Sequence, residues 1–289
     1  MAENRKIRSQ PKTAMGTRRA VEISACLWMD LLGYGEMLRK SNFDLTLPES
    51  LIAIERLFLF QDVISSHSSR LFTTVVLNDG CVMQRRLTPR SKSVTYDFLR
   101  RAYCLHQVVN SVEAKNNFPG VRSVVAVGFR YRRTSDNKTQ LVQNVGKKYC
   151  DKVKSGELSL EEAVFKALTF TPSFDLVPEL QANFAFSKAY IADSKGSKGG
   201  FGGANFFLDV NMLPKNLPKW IRYDEVVELK EEGIGGKFLK VSEMDLLPGE
   251  TENHDLPDAF DIATAITGST DTAILLKKMK LVGGNHRVA

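Results

Sequence analysis

Two aspartates in this 289-residue chain stand where carboxylates can do chemistry. Asp30 closes a short apolar run over residues 20–29 that is rich in β-formers and has no helix cap, so it reads as a buried strand with an acid at its end. Asp79 lies in Asn78-Asp79-Gly80, a turn signal between a Thr- and Val-rich stretch over 71–77 and a returning strand over 81–87. A strand end and a neighbouring hairpin turn bring carboxylates to one sheet edge, where they can hold divalent metal. Two such ions about 3.5–4 Å apart neutralise phosphate charge and activate a hydroxyl for attack. Each acid also has an ordinary structural explanation: Asn-Asp-Gly is a common hairpin turn, and an aspartate can cap a helix.

The surrounding pattern supplies the elements that must position the acids. After the loop 31–35, Pro48 and Glu49 open a segment whose Leu51, Ile54, Leu57, Phe58, Val63 and Ile64 suit a buried helix. Past Pro89, Phe98, Ala102, Leu105, Val109 and Val112 recur every three or four residues, which predicts a helix that ends before Asn116-Asn117-Phe118-Pro119-Gly120. Residues 121–129 read as a further buried strand. Strand, helices, hairpin, helix and strand make an α/β (α+β) chain with the βαββαβ plan of a ferredoxin-like core. Beyond it, residues 160–168 and 177–193 are expected to be helical and 204–212 to be a strand. Short strands and turns are expected from Pro214, before a final helix from about 259 to 281. Pro214-Lys215-Asn216-Leu217-Pro218 is a plausible junction, which divides the chain into a basic arm (1–19), a main domain (20–213) and a C-terminal extension (214–289).

Composition excludes several classes. With 43% hydrophobic and 25% charged residues the chain is an ordinary globular protein. Cys26, Cys81, Cys104 and Cys150 form no CxxC pair and suit small buried hydrophobes in a reducing compartment. His67, His106, His254 and His286 never stand at ligand spacing. No stretch approaches the ~20 apolar residues of a membrane span, and a cytoplasmic protein is expected. The net charge of +7 is concentrated in Arg5, Lys6, Arg8, Lys12, Arg18 and Arg19. Such an arm can contact nucleic acid nonspecifically or simply be solvated.

Asp30-Leu31-Leu32-Gly33-Tyr34 resembles the Asp-hydrophobic-x-Gly-aromatic motif at the end of the first strand in class III nucleotide cyclases. Asp79 is similar in place to their second aspartate, in the hairpin turn nearly fifty residues later, and Phe118-Pro119-Gly120-Val121-Arg122 leading into Val127-Gly128 looks like their fourth strand. The resemblance covers roughly residues 20–210. It implies a class III fold and a reaction that converts a nucleoside triphosphate to a cyclic nucleotide with two Mg²⁺ or Mn²⁺ ions. Asp30, Asp79 and the Leu31 carbonyl would ligate metal, and the amides of Leu32, Gly33 and Tyr34 would face the phosphates. Class III sites form between two catalytic domains, so a homodimer follows from the same resemblance.

The chain departs from the family in two places. Many members carry a purine-selecting lysine four residues before the second aspartate, where this chain has Val75. The family's helix motif, Val-Asn-x-Ala-x-Arg-x-Glu, aligns best with Phe186-Ser187-Lys188-Ala189-Tyr190-Ile191-Ala192-Asp193, which puts Ser187 and Ile191 in the ribose-orienting and transition-state positions. A shifted register using Asn183 and Lys188 separates the two by about 140° around the helix. Positive charge for the transition state is then expected from Arg85, Arg86, Arg130 or Lys188, with Lys188 and Arg130 as the catalytic groups and Arg85 as a nucleotide-binding one. The Gly-rich runs 195–203 and 233–237 lack a P-loop pattern and read as flexible connectors. Two functions stay open. One is an active cyclase of unusual base preference, similar to the pyrimidine cyclases of bacterial anti-phage defence and so a divergent bacterial or phage member. The other is a catalytically silent, nucleotide- or partner-binding regulatory module.

Overall fold

Alternation along the first strand creates two different sheet faces. In β1 (Ala20–Leu31), Ile23, Ala25, Leu27, Met29 and Leu31 enter the main core, which leaves Glu22, Ser24, Cys26, Trp28 and Asp30 on the opposite face. The structure, a computed structural model, describes residues 20–132, 137–169, 177–231, 234–245 and 256–268. The basic arm therefore lies outside the described residues.

After β1 come α1 (Tyr34–Lys40), α2 (Pro48–His67), the hairpin β2 (Thr73–Leu77) and β3 (Gly80–Arg86), α3 (Ser93–Lys115) and β4 (Val121–Arg132). Then follow α4 (Asn137–Lys154), α5 (Leu160–Leu168), α6 (Phe184–Lys195), β5 (Phe206–Asp209), β6 (Ile221–Glu231), β7 (Ile234–Met244) and α7 (Ala259–Thr267). The strands form one seven-stranded mixed sheet in the order β2-β3-β1-β4-β5-β7-β6. The junction expected near residue 213 thus falls between two strands of a continuous sheet. One compact unit combines Glu22–Arg130 with Ala182–Ala289 and contains most of this sheet; the other includes Tyr131–Gln181 and holds α4 and α5.

Helices α2 and α3 cover the main-core face through Ala53, Phe60 and Ile64 and through Phe98, Leu99, Ala102, Leu105 and Val109. His106 of α3 is buried against the Ser123 hydroxyl, 2.9 Å from its Nδ1. Burial pushes its pKa down to about 4, so it is a neutral core histidine. Helix α6 lies on the other face. Its cap, Asn183, bonds the amides of Ala185 and Phe186 with its side-chain oxygen and donates to Ser24 Oγ at 3.2 Å and Cys26 Sγ at 3.4 Å. Gly128 of β4 permits this approach, because a Cβ there would lie 2.6 Å from the Ala185 nitrogen.

Several expectations need correction. The helix expected over 177–193 is interrupted: a 3₁₀ turn at Pro178–Leu180 is followed by Ala182 at φ +47° and by the Asn183 cap, so α6 starts only at Phe184. The strand expected over 204–212 is Phe206–Asp209, ended where the Asp209 side chain accepts from the Asn211 amide and opens a 3₁₀ turn. Residues 234–237 belong to β7 instead of a connector, and the tail holds two eleven-residue strands. Residues 196–199 of the other Gly-rich run form a 3₁₀ turn. The polar helix α4 is not anticipated by the apolar pattern. Of the final helix, Ala259–Thr267 is observed and the remainder lies outside the described residues.

Candidate functional site

Antiparallel pairing of β1 with β3 places Asp30 opposite Gly80, one residue beyond Asp79. The Leu31 amide donates to the Asp79 carbonyl at 3.0 Å, which ties the strand end to the hairpin turn. On the other side of β1, the Leu32 amide bonds the Gly120 carbonyl at 3.0 Å, and Glu22 pairs with Arg130 at 3.7 Å. These links at opposite ends run β1 and β4 antiparallel and bring Arg122 beside Asp30. Arg122 forms an ion pair with Asp193 of α6 and donates from Nη1 to the Phe201 carbonyl at 3.0 Å.

The electrostatics report the same convergence. Burial is the main cause that pushes the Asp30 pKa up to about 7, followed by the negative charges of Asp193 and Asp79; Arg122 and Arg56 oppose the rise. Burial and the Asp79 charge also raise the Tyr34 phenol. The sheet edge therefore gathers Asp30 and Asp79 with a third acid, Asp193, already matched by a guanidinium.

The loop after Asp30 is held from behind. Gly33 adopts φ +75°, and the Leu32 carbonyl accepts from Arg56 Nη2 at 3.1 Å. The Arg56 guanidinium is buried, bonds both carboxylate oxygens of Glu113 and lies over the Phe118 ring. Because its amide is committed to Gly120, Leu32 departs from the expected phosphate-facing role. Gly33 and Tyr34 stand at the head of α1 beside Asp79.

The basic residues expected to act are placed elsewhere. Lys188 is buried and bonds Asp209 at 2.7 Å; Asp209 is fully buried and also accepts from the Val127 and Asn211 amides, each at 3.1 Å. Arg130 is 7% exposed and paired with Glu22, whereas Arg85 points to the main-core face, where it pairs with Asp97 of α3. Arg86 pairs with Glu22 at 3.4 Å. Lys188 is thus a structural cation. Lys188→Met is expected to destabilise the fold by about 3–5 kcal/mol, because it strands a buried carboxylate. Adding Asp209→Asn should recover only part of that loss, because it removes the stranded charge but turns a side-chain NH2 towards one of the two backbone amides that Asp209 accepts from. Urea midpoints that do not separate Lys188→Met from the parent would show the pair to be dispensable.

Arg122 and Asp193 are the site residues that sequence reasoning left out. Asp193 was in sight, since it ends the segment aligned with the family's helix motif at the position of the motif's Glu. Arg122 follows Gly120 by two residues, but nothing in the sequence shows that it will stand beside Asp30.

Among the described residues no group of three or more His, Cys, Asp or Glu side chains is arranged to hold a metal ion. The pair Asp30 and Asp79 nevertheless suits magnesium, which takes one or two carboxylates and completes its shell with water and substrate phosphate. The Asp30 pKa, raised by burial first and then by the charges of Asp193 and Asp79, is one that a bound cation would bring back down. Among the described residues no helix is long and apolar enough to cross a membrane.

No family model and no curated protein matches the chain. Solved structures similar to it are catalytic domains of guanylyl cyclases. One guanylyl cyclase matches at 12% identity over 85% of this chain and 100% of its own, with a TM-score of 0.41. The catalytic core of a rhodopsin-guanylyl cyclase with converted specificity, in complex with ATPαS, matches at 10% identity over 79% and 100%, with a TM-score of 0.41. The guanylate cyclase domain of RhGC from Catenaria anguillulae, in complex with GTP, matches at 9% identity over 78% and 99%, with a TM-score of 0.40. Likeness at that level bears on neither activity nor substrate.

Proposed function

We propose that the chain is a metal-dependent nucleotide cyclase that converts a nucleoside triphosphate to a 3′,5′-cyclic nucleotide and pyrophosphate. The observation that carries this reading is the Asp30 and Asp79 pair at the joined ends of β1 and the β2–β3 hairpin, with Arg122 beside it. The partial strand order β2-β3-β1-β4, which is that of a ferredoxin-like core, supports it.

In this reading Asp30, Asp79 and the Leu31 carbonyl would hold two Mg²⁺ or Mn²⁺ ions. When bound, such ions neutralise phosphate charge and lower the pKa of the attacking hydroxyl. The ribose 3′-oxygen bonds to the α-phosphorus, its proton leaves to solvent, and the bond to the bridging oxygen breaks with release of pyrophosphate. The Asp193 carboxylate and the Phe201 carbonyl hold two Arg122 donors in place, which leaves the rest of the guanidinium for phosphate oxygens. Gly33 and Tyr34 offer amides at the start of α1. A homodimer repeats Ser187 and Ile191 in the partner's helix, so the missing groups would come from other positions of the partner or from the C-terminal extension; a signalling role in bacterial defence fits the apolar Val75.

A catalytically silent nucleotide-binding module is the second reading, and α6 favours it. Lys188 is fixed by Asp209, and the Ser187 hydroxyl bonds the Asn183 carbonyl at 3.3 Å. The deciding test incubates the protein with ATP, GTP, CTP and UTP separately, with Mg²⁺ or Mn²⁺, and resolves products by mass. A cyclic product from the parent and at least about a thousandfold less from Asp79→Ala is expected, as for loss of a metal-holding group that acts in the transition state. Metal-dependent nucleotide binding without turnover would select the silent module.

A further inference from the structure

The sheet ends in two strands that meet solvent differently. At one edge, β6 exposes Asp224, Glu225, Glu228, Lys230 and Glu231, and its register shifts at Arg222/Tyr223 and again at Tyr223/Glu225. Charges and bulges of that kind keep an edge strand from pairing with another chain. At the other edge, β2 reads Thr73-Thr74-Val75-Val76-Leu77, with no charge, no proline and no register shift. An edge left in that state is a template for a further strand.

Hairpin geometry fixes which backbone groups are free. Leu77 and Gly80 close the two-residue turn Asn78-Asp79, and such a closing pair exchanges hydrogen bonds. Alternation then turns the amides and carbonyls of Thr73 and Val75 towards β3 and those of Thr74 and Val76 off the sheet. Among the described residues no strand lies beyond them. The helix above this edge is apolar on the same side. α2 packs beside β2, and its Arg56 reaches Glu113 of α3. Leu51 and Phe58 stand about 140–160° around the helix from Arg56, on the flank turned from α3 towards the β2 edge, and are 51% and 58% exposed. Leu71 and Val76 continue this exposed apolar surface.

We infer that β2 pairs antiparallel with β2 of a second copy of the chain, across a two-fold axis at Val75. In that register Thr74 of each copy faces Val76 of the other, so the free amides and carbonyls of both copies bond one another. No charge meets a like charge along the strand, and a self-complementary edge closes at two copies. The strand edge with Leu51, Phe58 and Leu71 amounts to roughly 600 Å² a copy, the lower end of what specific interfaces bury. The two Asp79 turns lie four residues from the axis on opposite sides, roughly 26 Å apart. Neither copy therefore reaches the other's Asp30 site, and the inference stands apart from the nucleotide reading and from a dimer that shares a catalytic site.

The test is sedimentation velocity with amide hydrogen exchange on the full chain, without metal or nucleotide, at about 100 μM, where a small interface is populated. Val76→Pro removes an outward amide without touching the ladder to β3, and Phe58→Glu sets a charge on the flank. Each is expected to halve the mass of the parent and to speed exchange of the Thr74 amide at least about tenfold. Thermal melts establish that each variant is folded, and Phe58→Glu carries the test if Val76→Pro is not. A parent with the mass of one copy overturns the inference. So does a parent whose Thr74 amide exchanges as fast as in the variants. A mass that stays unchanged in folded variants also overturns it and assigns the association to another face.

Discussion

Asp30→Asn is expected to raise the melting temperature of the metal-free protein above pH 7 and to abolish its stabilisation by Mn²⁺. In the folded chain the Asp30 pKa rises from 3.8 to about 7, mainly through burial and then through Asp193 and Asp79. A carboxyl with a raised folded pKa favours the native state when protonated. The native state therefore loses this contribution as pH climbs from about 4 through 7, and the charged carboxylate opposes folding above that window. The shift corresponds to about 4 kcal/mol at most, and partial solvent access reduces it to roughly 2. For a chain of this size that is about 4–8 °C in melting temperature. The two proteins should melt together near pH 4 and diverge towards pH 8. Added Mn²⁺ at a hundredfold excess over its Kd should restore about 2.7 kcal/mol to the parent and nothing to the variant. Parallel pH curves, or equal Mn²⁺ stabilisation of both proteins, would remove Asp30 from the site.

The second large effect is expected at Arg122. Replacing it by alanine leaves Asp193 buried with no cation and facing Asp30, at a cost of about 3–5 kcal/mol for breaking a buried pair from one side. Asp193→Asn in the same chain should recover most of this, since both charges are then gone. Urea denaturation of the four proteins in the cycle measures the coupling. Nucleotide affinity should follow a different pattern: the double variant refolds but still lacks the guanidinium, so its triphosphate binding stays about tenfold or more below the parent. Recovery of stability and of binding together would reduce Arg122 to a packing role.

The pattern that placed the acids was short-range and therefore readable. An apolar run with an acid at its end and a Thr- and Val-rich hairpin with Asn-Asp-Gly need only local propensity, and β1, β2 and β3 form where that propensity puts them. The three- and four-residue recurrence of Phe98, Ala102, Leu105 and Val109 likewise foretells α3, because one helical stripe must face the sheet. The expectations that failed depended on distant contacts. Residues 177–193 have a helical pattern, but Asn183 is worth more as a cap that also bonds Ser24 and Cys26 than as an interior helical residue.

The charged residues divide along the same line. Sequence by itself determined that Asp30 and Asp79 end neighbouring elements, because strand ends and tight turns are written in a few consecutive residues. Only the tertiary structure decided what the basic residues do. Lys188, Arg130 and Arg85 look equally free in a list of residues, yet Asp209, Glu22 and Asp97 claim them from other strands and helices. Arg122 reaches Asp30 only through the pairing of β1 with β4, and Asp193 reaches Arg122 only because α6 crosses that face. A charge takes its role from the nearest opposite charge after folding, and that distance is set by sheet register and helix packing rather than by position along the chain.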